Sequence, residues 1–280
     1  MLSLYRLQDA MGVPSGRPAE IATSVHRWVA TGDARVDLPP WVGPVVDSGA
    51  TVASEAVEVT ALTGAQLQEA AFGVFDQCLD RLGMPPTRVW AFLPDITKSD
   101  DAGLTRYMHM NIGRGRAYAR HMSPGVPPPA GTGVGHAGSQ LVVHALRIPG
   151  PATSVENPRQ VPAWEYSSRY GPVSPPFSRA VMTPDLLIAS GTASVVGEET
   201  KHLGKLSLQW EETMRNLEVL KSAAGVRGEW YGLQVYVRDE SDLEEVSACV
   251  AAAFGSCERV LQAPLCRDGL LVEVEGVANV

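Results

Sequence analysis

Residues 62–83, LTGAQLQEAAFGVFDQCLDRLG, followed by RVWAFLPDI at 88–96, carry the two signals whose order decides the fold. Apolar residues recur at helical spacing up to Gly83, a helix stop, and the second run reads as a strand. The same order returns at LGKLSLQWEETMRNLEVLKSAAG (203–225), which stops at Gly225 before the alternating run EWYGLQVYVRD (229–239). Each copy then continues alike. A second helical stretch (104–121, then 242–254) is followed by a loop and a closing strand, SQLVVHALRI (139–148) in one case and GLLVEVEGV (269–277) in the other.

Short hairpin-like strands are expected before each first helix, in 51–60 and 185–194. The predicted unit is ββαβαβ, an α+β arrangement in which helices cover one face of a mixed sheet. Two such units, 1–150 and 151–280, are expected to pack as pseudo-repeats with a ligand cleft where they meet. The boundary falls in the Pro-rich run 149–176. Residues up to Val25 have weak periodicity and suggest no role.

With 280 residues, 45% hydrophobic and 19% charged, the chain has enough apolar side chains for substantial cores and is not of the disordered class. A formal charge of −8 argues against a broad nucleic-acid or anionic-membrane surface, so an anion site has to be a local basic pocket. Cys78, Cys249, Cys257 and Cys266 form no C-x-x-C pair, and the first residues lack a basic region followed by an apolar run. Free thiols and a cytoplasmic setting are expected. No window approaches the ~18 apolar residues of a membrane span.

The run NPRQVPAWEYSSRYGPVSPPFSRA (157–180) places Arg159, Arg169 and Arg179 among Trp164, Tyr166, Tyr170 and Phe177. Its five prolines keep the backbone out of helix and ladder pairing. Guanidiniums on a stiff aromatic loop suit an anionic, partly planar ligand. A solvated connector is the alternative, and composition does not separate the two.

Other residues invite chemistry with less specificity. Glu273 and Glu275 alternate on one face of the last strand, either as an acid/base pair or as a solvated polar edge. Inside a closed cleft, desolvation and like charge would raise one of them toward neutrality. Cys266 precedes Arg267, which would favour a thiolate, with an ordinary buried thiol as the alternative. The six histidines have no metal-type spacing, so no metal is expected. Glycines 131, 133, 135 and 138 lack the Lys-Ser/Thr of a phosphate loop and precede a strand, which favours a tight turn or close backbone packing. Arg114, Arg116 and Arg120 sit on a predicted helix, more readily as a solvated basic face than as ligand contacts. Gln209, Trp210 and Asn216 read as structural.

Taken together, the 157–180 run, SGTASVVGEET (190–200) and CRDGLLVEVEG (266–276) resemble the chorismatase family, and the resemblance extends over nearly the whole chain. Those enzymes cleave chorismate to pyruvate and a hydroxylated cyclic acid without a cofactor. The resemblance implies two tandem RidA-like (YjgF-like, chorismate-mutase-like) units. It also implies that Glu273, first glutamate of the V-E-x-E pattern, protonates the enolpyruvyl methylene.

On the same resemblance, Arg159, Arg179 and Arg238 are candidate clamps for the two substrate carboxylates, with Tyr170 as a hydrogen-bond donor. Members that aromatise carry a cysteine at the Cys266 position. Alanine at position 180, after the arginine of the FSR run, is associated instead with hydrolytic members. The two markers conflict, and the thiol, able to move a proton, is given more weight than the methyl of Ala180. The implied product is 3-hydroxybenzoate, with the dihydroxycyclohexadiene carboxylate and 4-hydroxybenzoate as alternatives. A reading of another class is a RidA-type imine deaminase or metabolite-binding protein. Whether the chain is a monomer or a RidA-like trimer is not legible in the residues.

Overall fold

The computed structural model describes residues 28–255 and 259–280, so Cys257 and the stretch up to Val25 lie outside the described residues. Two short helices, α1 (Ala34–Asp37) and α2 (Val42–Asp47), lead into β1 (Thr51–Glu58), α3 (Gly64–Leu82) and β2 (Arg88–Phe92). Then come α4 (Arg106–His121), β3 (Ala130–Val134) and β4 (Gln140–Arg147). Helix α3 buries Leu67, Ala71, Val74, Phe75, Cys78 and Leu82 on one face. It stops at Gly83, whose φ of 69° is the left-handed conformation that caps a helix at little steric cost.

The second half opens with the hairpin strands β5 (Thr153–Val155), β6 (Ala180–Met182) and β7 (Leu186–Ala189). After the short strands β8 (Thr192–Ala193), β9 (Val195–Val196) and β10 (Glu199–Thr200) it repeats the first. Helix α5 (Leu206–Ala223), β11 (Trp230–Val237), α6 (Leu243–Phe254), β12 (Arg259–Gln262) and β13 (Val272–Asn279) take the places of α3, β2, α4, β3 and β4. The first sheet runs β1-β4-β2-β3, and the second contains β7-β13-β11-β12 in the matching order. In each, only the pairing of the two strands at the end of that order is parallel.

The α+β architecture with mixed sheets is as the sequence reading expects, and the difference lies in the short strands. Each second helix is followed by two strands, the additional ones being β3 and β12. β3 uses the glycines read as a turn or close approach. A Cβ at Gly131 would meet Phe177 and at Gly135 Pro264, so bare backbone lets this edge approach the second half, while at Gly133 it would meet Tyr107 of α4 in the same half. Ser178 N donates to Pro129 O at 2.9 Å and Gly135 N to Pro264 O at 2.6 Å across that seam.

The layers run helix, sheet, sheet, helix. One core lies between α3, α4 and the first sheet, another between α5, α6 and the second. A third fills the space between the sheets, with Trp90 and Phe92 facing Ile188, Tyr236 and Val277. Strand alternation divides the residues among them. On β13, Val272 and Val274 enter the helix-side core. Glu273 and Glu275 therefore point between the sheets. Among the described residues no helix is long and apolar enough to cross a membrane.

Candidate active site

A cavity of about 500 Å³ opens at the seam where β3, the 157–180 run and the 266–273 turn meet. Glu273, Cys266, Tyr170 and Arg179 are in its wall, together with Arg114, Arg267, Tyr107, Tyr166 and Phe177. The solvated alternatives for Glu273 and Glu275 do not hold, since they are 4% and 1% exposed.

The two glutamates differ in their surroundings. Glu275 accepts hydrogen bonds from Thr132 Oγ1 (2.5 Å), Trp90 Nε1 (3.1 Å) and Tyr236 OH (3.0 Å), and it is ion-paired with Arg88. Every partner of Glu275 is thus a donor, and both of its oxygens are engaged. Glu273 has no hydrogen-bond partner among the described residues. Burial, then the charge of Glu275, pushes it up to about 8 against the pull of Arg88, Arg267 and Arg179. Glu273 is therefore a neutral acid at pH 7.

The 157–180 run wraps the cavity mouth as a stack of cations and rings. The Arg267 guanidinium lies 4.1 Å from the Tyr170 ring centre and 5.2 Å from that of Tyr166. Arg179 lies 5.2 Å from the Phe177 ring centre and donates to Tyr166 OH at 2.5 Å. Arg114, on α4, donates to Asn111 Oδ1 at 2.7 Å and leaves its buried Nε without a partner. Arg179 Nε is likewise unpartnered. Among the described residues Arg114, Arg179 and Arg267 have no ion pair with Asp or Glu; their other bonds go to Val161 O and Glu198 O. Guanidiniums that face a cavity without carboxylate partners suit an anionic ligand, because the uncompensated charge is otherwise costly.

Three sequence candidates lie elsewhere. Arg159 is turned toward α5, donating to Asn216 Oδ1 at 2.7 Å and pairing with Glu212 at 2.5 Å. It fastens the run to the helix. Arg238 pairs with Asp239 at 2.6 Å and donates to Asp268 O, which anchors the 266–270 turn from outside. Ala180 is fully buried on the helix side of the second sheet, in the core that also holds Leu187 and Trp210. The thiolate expectation for Cys266 is also corrected. Burial first, then the nearby Glu273, pushes the thiol up to about 12, and Arg267 offsets only part of this.

The sequence reading underrated Arg114, Arg267 and Gly191. Arg114 stands in the buried stripe Tyr107, Met110, Arg114, Ala117 of α4, whereas Arg116 and Arg120 face outward to Glu69 and Asp76. An arginine at a stripe position was the available signal. Among the described residues no group of three or more His, Cys, Asp or Glu is disposed to hold a metal.

The chain that carries this arrangement is similar to known proteins in sequence and fold. Residues 46–147 match the model for the amino-terminal region of "Chorismatase FkbO/Hyg5-like" proteins. The chain is 33% identical over 230 residues to a 3-hydroxybenzoate synthase of Streptomyces hygroscopicus, covering 74% of this chain and 68% of that one. It is 33% identical over 226 residues to a chorismatase of Streptomyces rapamycinicus, covering 73% and 67%. A crystal structure of a chorismatase superposes with a TM-score of 0.69 at 28% identity, over 81% of this chain and 74% of that one. The chain is an enzyme of the chorismatase family, and its two halves repeat one α+β unit with a mixed sheet.

Proposed function

We propose that this chain converts chorismate to pyruvate and 3-hydroxybenzoate, with Glu273 as the proton donor. The observation that carries the reading is the buried Glu273 in one cavity wall with three guanidiniums that lack carboxylate partners among the described residues. Chorismate carries two carboxylates and an enol ether. Arg114, Arg179 and Arg267 are the clamps, Tyr166 and Tyr170 orient them, and the rings of Tyr170 and Phe177 cover the apolar faces.

Glu273 donates its proton to the terminal methylene carbon, which becomes the methyl group of pyruvate. The positive charge that develops on the ether carbon and oxygen faces the new Glu273 carboxylate. The substrate's adjacent hydroxyl oxygen then attacks the ring carbon that bears the ether and expels neutral pyruvate; the bond from that oxygen to its original ring carbon opens, the oxygen keeps its proton as the phenol, and the ring proton lost on aromatisation restores Glu273. Pyruvate and hydroxybenzoate together contain all the atoms of chorismate. The diene diol requires one water in addition, so the product depends on whether water or the substrate hydroxyl reaches the cation.

Cys266, protonated and beside Glu273, is a donor that holds the ring oxygen and is no nucleophile. Ala180 faces the helix-side core, away from the cavity, which supports the weight given to the thiol. The division into an amino-terminal unit (1–150) and a carboxy-terminal unit (151–280) that carries the acid follows the segregation of the two sheets.

The test is to mix the protein with chorismate, follow pyruvate through lactate dehydrogenase and identify the product by proton NMR. Release no faster than the spontaneous rate would return the chain to a RidA-like deaminase or binding protein.

A further inference from the structure

Beneath the cavity floor lies a polar cluster that neither the clamp nor the acid uses. Arg88, the first residue of β2, is fully buried, lies 4.7 Å from the Trp90 ring centre and ion-pairs with Glu275. Thr132 Oγ1, on β3, donates to Glu275 at 2.5 Å and accepts from Arg88 at 2.5 Å and from Gly191 N at 3.0 Å. Trp90 Nε1 and Tyr236 OH complete the shell of Glu275. One carboxylate thus joins both sheets.

Two features tie this cluster to the cavity. Glu275 lies two residues from Glu273 on the same face of β13, so fixing one fixes the other. Gly191, held through Thr132, is the residue over which the Glu273 carboxyl sits, since a Cβ there would meet Glu273 Oε1. The cluster therefore holds both the strand that carries the acid and the backbone floor under it.

We propose that the buried Arg88–Glu275 pair is a positioning device for Glu273 that also sets, through its charges, the pH range in which Glu273 keeps its proton. The coupling rests on the reading of Glu273 as the acid for its catalytic meaning, although not for its existence. The other groups that face Glu273 are Arg179 beside β6, Cys266 and Arg267 in the turn before β13, Tyr107 and Arg114 on α4 and Tyr236 on β11. Glu156, pushed up to about 7 by burial, stands behind Arg179 and is unchanged in every variant below. The carboxylate of Glu275 opposes ionisation of Glu273, and the Arg88 cation favours it. The first effect outweighs the second.

Glu275→Gln deletes the opposing charge and leaves Arg88 uncompensated, so Glu273 loses its proton at lower pH. The carbon-13 carboxyl resonance of Glu273, identified by its absence in Glu273→Gln, is titrated in substrate-free protein alongside the pH profile of pyruvate release. The midpoint and the alkaline limb both move down by about one pH unit in Glu275→Gln, a roughly tenfold loss of activity above the new midpoint. The double variant Arg88→Met/Glu275→Met removes both charges, a replacement buried ion pairs tolerate, and it covers the case in which the single variant does not fold. Its midpoint moves in the same direction by less. A midpoint that stays in place in the folded variants, with activity reduced equally at every pH, would overturn the proposal and leave the pair a structural staple. If Glu273→Gln retains pyruvate release while the midpoint still moves, the acid assignment fails and the coupling stands.

Discussion

The carboxyl of Glu273 lies against the bare backbone of Gly191, so closely that a methyl group at position 191 would occupy the space of Glu273 Oε1. The acid is thus seated by the absence of a side chain on the neighbouring segment, and that segment is itself held by Thr132. Gly191→Ala therefore displaces Glu273 from its seat and also crowds Thr132 Oγ1, 3.0 Å from the added carbon. The expected result is a loss of about 10²-fold in kcat, the scale set by an ångström of misplacement, with a melting temperature lowered by only a few degrees. Pyruvate kinetics with a thermal melt on the same sample decide it.

Stability carries its own signature of the buried acid. Burial raises Glu273 from its ordinary value of 4.5 to about 8, so between those limits the native protein binds the extra proton. Stability contributed this way is present below the lower value and is lost as pH rises toward the upper one. Glu273→Gln removes the dependence. The variant gains on the wild type by up to roughly 4 kcal/mol as pH is taken from 5 to above 8, and denaturant midpoints across that window measure the gain.

Arg267 and Arg159 separate binding from fastening. Arg267→Met removes a guanidinium that faces the cavity without an ion-pair partner among the described residues, and kcat/KM for chorismate falls roughly 10- to 100-fold, as for a lost charged hydrogen bond. Arg159→Met leaves the buried Glu212 carboxylate without its closest partner. It costs about 1–3 kcal/mol in unfolding free energy while KM of the folded protein is unchanged. A raised KM in Arg159→Met would put that side chain back among the clamps.

Cys266→Ala tests product choice. With the thiol gone, the ring oxygen loses its donor and water competes, so the ratio of diene diol to 3-hydroxybenzoate rises at least several-fold while total pyruvate release persists. Because burial holds the thiol near 12, iodoacetamide modifies Cys266 slowly at pH 8. An unchanged product ratio removes the thiol from the mechanism.

The order of helices and strands was legible because it depends on local periodicity, and Glu273 because its neighbours Val272 and Val274 mark the alternation of β13. Strands β3 and β12 were not, since four- and five-residue runs such as RVLQ and AGTGV have little periodicity of their own and pair only when the central strand is in place. In the site, Arg179 and Tyr170 announced themselves by composition. Arg267 was visible only as a neighbour of Cys266, and its stacking on Tyr166 and Tyr170 spans about a hundred positions of sequence. Arg159 and Arg238 show the converse. An arginine in an aromatic loop or at a strand end signals an anion as strongly when its partner is Glu212 or Asp239 as when it is a ligand.

On β13 the even-numbered Val272 and Val274 serve the helix layer, and the odd-numbered Glu273 and Glu275 serve the seam between the sheets. Catalysis on this strand is a matter of parity. One residue inserted into the turn between Asp268 and Val272 would exchange the two sets, driving two carboxyl groups into the α5 core and presenting valines to the cavity. The strand can therefore tolerate changes in what its outer neighbours are far better than a change in how many residues precede it.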